Sequence, residues 1–299
     1  MKKFLVIVAV IGLAILLFAG SRSNNKTSET DQYLTPANTI HDVHGLAVDV
    51  ADSSKVWIAS HTGLHLLKDD KDLYLVGSGR DDYMGFSAHP TDPNTFFSSG
   101  HPSDMSGSIG FQKTTDGGRT WKKISNGVGG PVDLHAMAVS QVDPNIVYGW
   151  YRGNLQKSMD GGKNWQIVDS NLNAQIIYLT TDPQQKDKVY ATTNAGLLVS
   201  QDQGKTWSQL SMSLVGDAII TAAVNPNNPQ ELLAYGQRSG LSKSADGGRN
   251  WSKIEAPWAN SMVMYISYDK NRTGVIYAIT QSIEIYKTSD GGQTWTKVR

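Results

Sequence analysis

Thr114-Thr115-Asp116-Gly117-Gly118-Arg119-Thr120-Trp121 is the first of five copies of one eight-residue box. The others occupy residues 158–165, 200–207, 244–251 and 288–295, and all obey Ser/Thr-x-Asp-x-Gly-x-x-Trp. Their aspartates, Asp116, Asp160, Asp202, Asp246 and Asp290, follow at steps of 44, 42, 44 and 44 residues. A fixed period in this range marks stacked supersecondary units. Each box position has a physical task. The carboxylate accepts backbone N–H bonds and locks a tight turn, and the hydroxyl does the same more weakly. Glycine supplies positive φ, and the tryptophan opens the next strand and buries a large ring between units. Five of the eight tryptophans sit in boxes, as a packing role requires. Five identical catalytic or calcium sites would be an unusual need for one protein, so the box reads as architecture.

The rest of the repeat recurs around each box. In the third repeat an apolar run over 135–139 is followed by Asp143-Pro144-Asn145. A second run covers 146–151, a third 155–158, then come the box and a last run over 165–168. Apolar, β-branched segments bounded by Pro, Gly, Asn and Asp read as four short strands, here a to d, with the box between c and d. Residues 84–124, 176–210, 219–254 and 263–298 fit the same template. A degenerate first copy covers 46–76, its box decayed to Leu67-Lys68-Asp69-Asp70-Lys71-Asp72-Leu73-Tyr74. Six such units close best as an all-β, six-bladed β-propeller, because open sheet edges invite aggregation. No strand exchange between the termini is evident, and residues 31–40 are a candidate extra strand.

These boxes are Asp-box (BNR) repeats. Over residues 40–299 the chain resembles bacterial extracytoplasmic Asp-box propellers of the glycosyl hydrolase-like and sortilin-like kind. The same box occurs in sialidases, xyloglucanases, sortilin luminal domains and a photosystem II assembly factor. The resemblance implies a propeller with its site around the inner strands' entry ends. It is compatible with a binding module, a glycoside hydrolase, or a sorting or assembly factor. The Arg-Ile-Pro-type segment found early in sialidases is absent here.

Met1-Lys2-Lys3 and the apolar run over 4–19 read as a signal peptide or an N-terminal membrane anchor over residues 1–20. Leu17-Phe18-Ala19-Gly20-Ser21 has the form of a lipoprotein signal end with serine where the lipidated cysteine would stand. Residues 21–39 form a polar, flexible linker, and 40–299 the propeller. Either fate of the leader predicts an extracytoplasmic protein, secreted or held at the membrane. The chain has no cysteine, which excludes disulfides and thiolate metal sites. Its net charge of +0 argues against a nucleic-acid partner.

Antiparallel strands put the a–b turns and the boxes on one face, and the b–c loops and d–a connections on the other. His44, His61, His101 and His135 all map to this second, non-box face in blades one to three. His65 and His89 stand outside the group, and no histidine lies beyond residue 135. A histidine-lined face can bind a ligand or a divalent transition metal; equally, it can simply cap a channel mouth. Asp104 and Asp133 lie beside the group and are the candidate catalytic carboxylates for glycoside hydrolysis. Asp81, Asp82, Asp217 and Glu284 are further acids on the same side. Arg80, Arg152 and Arg238 are candidate grips for an anionic group. Sugar stacking or protein contact can use Tyr83, Tyr151, Tyr178 and Trp258. No phosphate-cradling loop, Gly-x-Ser-x-Gly elbow or His-Glu-x-x-His helix is present, so nucleotide, serine-hydrolase and zincin chemistry lack support.

Overall fold

A computed structural model of the chain describes residues 31–258 and 261–299. The leader over 1–20 and most of the linker over 21–39 lie outside the described residues. Six antiparallel sheets follow one another along the chain, each with strands in the order a-b-c-d. The six-bladed propeller is therefore the fold. In blade three the strands are Ala136–Val139, Val147–Tyr151, Asn154–Ser158 and Gln166–Ile167. The inner strands of the other blades are Gly45–Val48, Asp82–Ala88, Ile176–Thr181, Ile219–Val224 and Val263–Tyr268.

Strand b is sandwiched on both faces, so it reads as a continuous apolar run rather than an alternating one. Val189–Thr193 and Ile276–Thr280 are buried at every residue. The apolar side chains collect into six clusters, one at each junction between neighbouring blades. The core is thus a ring of interfaces, and no blade buries its hydrophobic faces alone.

The box geometry explains its sequence. In blade three the Ser158 hydroxyl donates to Asp160 Oδ1 at 2.8 Å and accepts the Gly162 amide at 2.9 Å. Asp160 Oδ1 also accepts the Lys163 and Asn164 amides at 3.1 and 2.9 Å, and Oδ2 accepts the Asn164 side chain at 2.7 Å. Gly162 has φ +87, and a Cβ there would come within 1.9 Å of Phe111 in blade two. The Trp165 indole N–H donates to the Gly162 carbonyl at 2.9 Å, and its ring meets Phe111 edge-on at 5.2 Å. Each box therefore locks its own turn and wedges a glycine and a tryptophan against the preceding blade.

Blade one departs from this pattern. Its c and d strands, Gly63–Lys68 and Asp72–Val76, are joined by a short hairpin in which Asp69 and Asp70 take φ +54 and +59. The decayed box expected over 67–74 is a plain hairpin, with Leu67 and Lys68 inside the strand. Leu34–Pro36 adds a fifth strand outside Asp72–Val76, so ordered structure begins within the segment read as linker. This strand does not close the ring, because blade six takes its fourth strand, Thr296–Lys297, from its own repeat.

Closure between blades six and one rests on side chains. Ser53 Oγ donates to Asp269 at 2.9 Å, Asn271 to the Val50 carbonyl at 3.0 Å, and Arg272 to the Ser53 carbonyl. Asp70, freed from any box, accepts the Tyr277 hydroxyl at 2.6 Å and pairs with Lys287 at 2.5 Å. Beneath them Ile40, Val48, Val56 and Ile58 pack on Val275, Tyr277 and Ile285.

Two predictions follow from these contacts. Asp70→Ala leaves the buried Tyr277 and the partly buried Lys287 without their acceptor, costing about 1–3 kcal/mol; a lowered thermal midpoint measures it, and an unchanged midpoint refutes the latch. The second concerns acid. Hydrogen bonds from the residue four positions on hold the carboxyls of Asp160, Asp202 and Asp246 at about 2, below the usual 3.8. A depressed folded pKa adds stability that is present above the unfolded value and lost as pH falls through about 2. Melting between about pH 5 and about pH 2 should show this loss, and Asp160→Asn/Asp246→Asn should show a smaller one.

Candidate functional site

The entry ends of the inner strands and the exit ends of the b strands share the non-box face. The register places Gly45 opposite Ala59 in blade one and Asp82 opposite His101 in blade two. His44 and His61 consequently emerge side by side, their rings stacked at 4.5 Å and 20°. His61 Nε2 lies 3.5 Å from Asp42 Oδ2 and 3.5 Å from Asp82 Oδ2. His44 Nε2 lies 3.6 Å from Asp82 Oδ1. These separations exceed hydrogen-bond length. In the second group, Asp133 Oδ2 is 3.1 Å from His101 Nε2 and 2.7 Å from His135 Nε2.

The four histidines do not converge on one point, as a single four-histidine metal centre requires. They divide into Asp42, His44 and His61 on blade one, and His101, Asp133 and His135 across blades two and three.

Burial sets the charges. Asp82 is 4% exposed, and desolvation pushes its carboxyl up. His44 is pushed down to about 4, first by burial and then by the nearby histidines. Burial also opposes the charge on Asp133, but its hydrogen bond from His135 and the two histidine rings win, and its carboxyl is held low. The same hydrogen bond raises His135. His101 Nδ1 lies 2.8 Å from the Gly107 carbonyl, which can only accept. Nδ1 therefore carries the proton, and Nε2 faces a carboxylate oxygen that cannot donate. His44 Nε2, Asp82 Oδ1 and Asp133 Oδ1 are buried with no hydrogen-bond partner. Such atoms cost about 1–3 kcal/mol each unless a water, proton or cation meets them.

Beside Asp133 and His135 the face opens into a groove of about 1130 Å³ between blades three and four, lined also by Trp150, Arg152, Gln175 and Asn194. Arg152 has φ +48, and its guanidinium lies 5.0 Å over the Tyr151 ring. A smaller cavity of about 160 Å³ lies among the inner strands of all six blades, toward the a–b turns.

The remaining candidates stand apart. Asp104 is exposed, accepts the Ser106 amide at 2.9 Å and is held low by Ser106, the reverse of what a general acid needs. It makes no hydrogen bond to Asp133 among the described residues. Arg80 turns back on the Gly77 and Gly79 carbonyls, and Arg238 on Val215. Asp217 caps the Arg238 and Ser239 amides, and Glu284 is taken by Lys297 and Tyr286. His65 is buried against Ser60. His89 accepts the Asp92 amide at 3.0 Å and locks an a–b turn, the task Asp49 and Asp182 perform elsewhere. Of the two central carboxylates, the sequence points to Asp82 only as one of several acids and does not single out Asp42. Asp82 is nevertheless the one charged residue among the six inner-strand first residues, Gly45, Asp82, Ala136, Ile176, Ile219 and Val263.

The family described as Sortilin, neurotensin receptor 3 (Sortilin-Vps10) matches residues 153–244. No curated protein matches the chain. Among solved structures, the GH74 xyloglucanase from Xanthomonas campestris is similar at TM-score 0.59 and 16% identity, over 88% of this chain and 46% of that one. The GH74 enzyme of Niastella koreensis is similar at 0.65 and 16%, over 89% and 47%. The chain thus spans about half the length of these two enzymes. YCF48 bound to D1 peptide is similar at 0.55 and 15%, over 88% and 84%. The family match covers only residues 153–244, and these neighbours, at 16% identity or less, show the fold alone: a six-bladed β-propeller.

Proposed function

We propose that this chain is an extracytoplasmic binding module that holds a protein segment or a carbohydrate on its non-box face, in the groove beginning at Asp133 and His135. The carrying observation is the union of two features there: a cluster of Asp133 with two imidazoles, and a groove wall of aromatic, amide and guanidinium groups. Aromatic faces with adjacent amides serve both sugar and peptide ligands. The fold neighbours include a protein solved with a peptide and one named as a xyloglucanase, which supports both ligand classes. Export is proposed from Met1-Lys2-Lys3 and the apolar run behind it, with this segment either cleaved or kept as the membrane contact.

Peptide and glycan arrays probed with the purified chain test this reading. Gln175→Ala with Arg152→Gly, where glycine suits the backbone, should weaken the captured ligand about tenfold or more, a loss of about 1.4 kcal/mol. Arg249→Ala on the box face should leave it unchanged. The opposite pattern would move the site to the other face.

One observation favours a second reading, glycoside hydrolysis. Asp82 is pushed up and Asp133 held down, the division of labour between a general acid and a charged partner. Against it stands the burial of Asp82, which limits contact with a glycosidic oxygen. A panel of chromogenic glycosides and polysaccharides decides: turnover abolished by Asp82→Asn supports hydrolysis, and no turnover leaves the binding module.

A further inference from the structure

We propose that the non-box face carries two divalent transition-metal sites: one built by Asp42, His44 and His61 with Asp82 as fourth ligand, the other by His101, Asp133 and His135. The proposal deepens the reading of this face as the working face and gives the groove a metal at its head.

Distances in the first group are those of ligands around a cation. His44 to Asp82, His61 to Asp82 and His61 to Asp42 stand at 3.6, 3.5 and 3.5 Å. Two ligand atoms bound at about 2.0–2.1 Å around a tetrahedral metal lie about 3.4 Å apart. Asp42, His44 and His61 lie within 4.8 Å of one another, as do His101, Asp133 and His135, and Asp82 adjoins the first three from outside. Independent support comes from the atoms that lack partners. Asp82 Oδ1 and His44 Nε2, facing one another, are buried and unsatisfied, and so is Asp133 Oδ1. Asp82 is more than nine-tenths buried and reaches both stacked histidines, one with each oxygen.

In the second group the outer contacts are those of a metal ligand. His101 donates Nδ1–H to the Gly107 carbonyl, which fixes the ring and leaves Nε2 directed at Asp133. Two imidazoles and one carboxylate leave coordination positions open, and Asp133 and His135 also line the groove. A donor atom of a groove-bound ligand would complete that shell.

The donor chemistry narrows the ion. Mixed imidazole and carboxylate sets suit zinc, iron, nickel or copper(II), whereas calcium and magnesium prefer all-oxygen shells. Copper(I) is disfavoured because neither set contains a cysteine or methionine sulfur.

The test is titration of chelator-treated full-length chain with Zn²⁺ by calorimetry and with Co²⁺ by visible absorption. Two equivalents are expected. His44→Ala/His61→Ala should remove one, and His101→Ala/His135→Ala the other. Asp82→Asn should weaken the first site by about 10–100-fold or more and spare the second. Melting curves of the metal-free variants establish that they are folded, and a single-histidine variant from each pair stands in where a double variant is not. One equivalent abolished by either pair would overturn the two-site arrangement, and no saturable binding would overturn both sites. No groove ligand enters this readout, so failure here leaves the groove reading standing, and failure of the arrays leaves the metal count intact.

Discussion

The wedge that each box drives into the preceding blade is the contact on which the structure depends. A four-stranded blade has two apolar faces and cannot bury either by itself. Gly162 lets the chain approach Phe111 where any side chain would collide, and Trp165 then covers the same ring. Repeating that contact at a period of 42 to 44 residues converts one local turn into a closed ring.

Blade one is where the repeat fails, and the failure has consequences. Without a box it has no glycine to wedge against blade six. Asp70 instead faces Tyr277 and Lys287, and Ser53 engages Asp269 and Arg272. The ring is latched by charge and hydrogen bonds over an apolar seam, where many propellers would share a strand. Leu34–Pro36 covers the outer edge of this same blade and shields backbone groups that a free edge would expose.

The ring brings chemistry to one face by an indirect route. His44 and Asp82 begin or precede inner strands, His61 and His101 close b strands, and Asp133 and His135 lie on the approach to blade three. Asp133 and His135 are two residues apart, but His101 lies 32 residues from Asp133, and His44 and His61 flank different strands. Antiparallel pairing sets His44 beside His61, and blade packing sets Asp133 between His101 and His135. The resulting carboxylates differ in charge state because one is desolvated by the fold while the other is paired with two rings.

Periodicity, turn chemistry and the alternation of strand direction determined the blade count, the task of each box and the face on which the histidines lie. These are local properties repeated at a fixed interval, so they can be read from a linear chain. The division of the histidines into two groups depended on the tertiary structure, as did the central role of Asp82 and the withdrawal of Asp104, Arg80 and Arg238 into their own loops. Angstrom-scale separations across blade junctions, and the solvent left around each side chain, come from packing between repeats. Those quantities have no counterpart in residue spacing: Asp104 and Asp133 look alike in sequence, yet one caps an exposed loop and the other lies half-buried between two imidazoles.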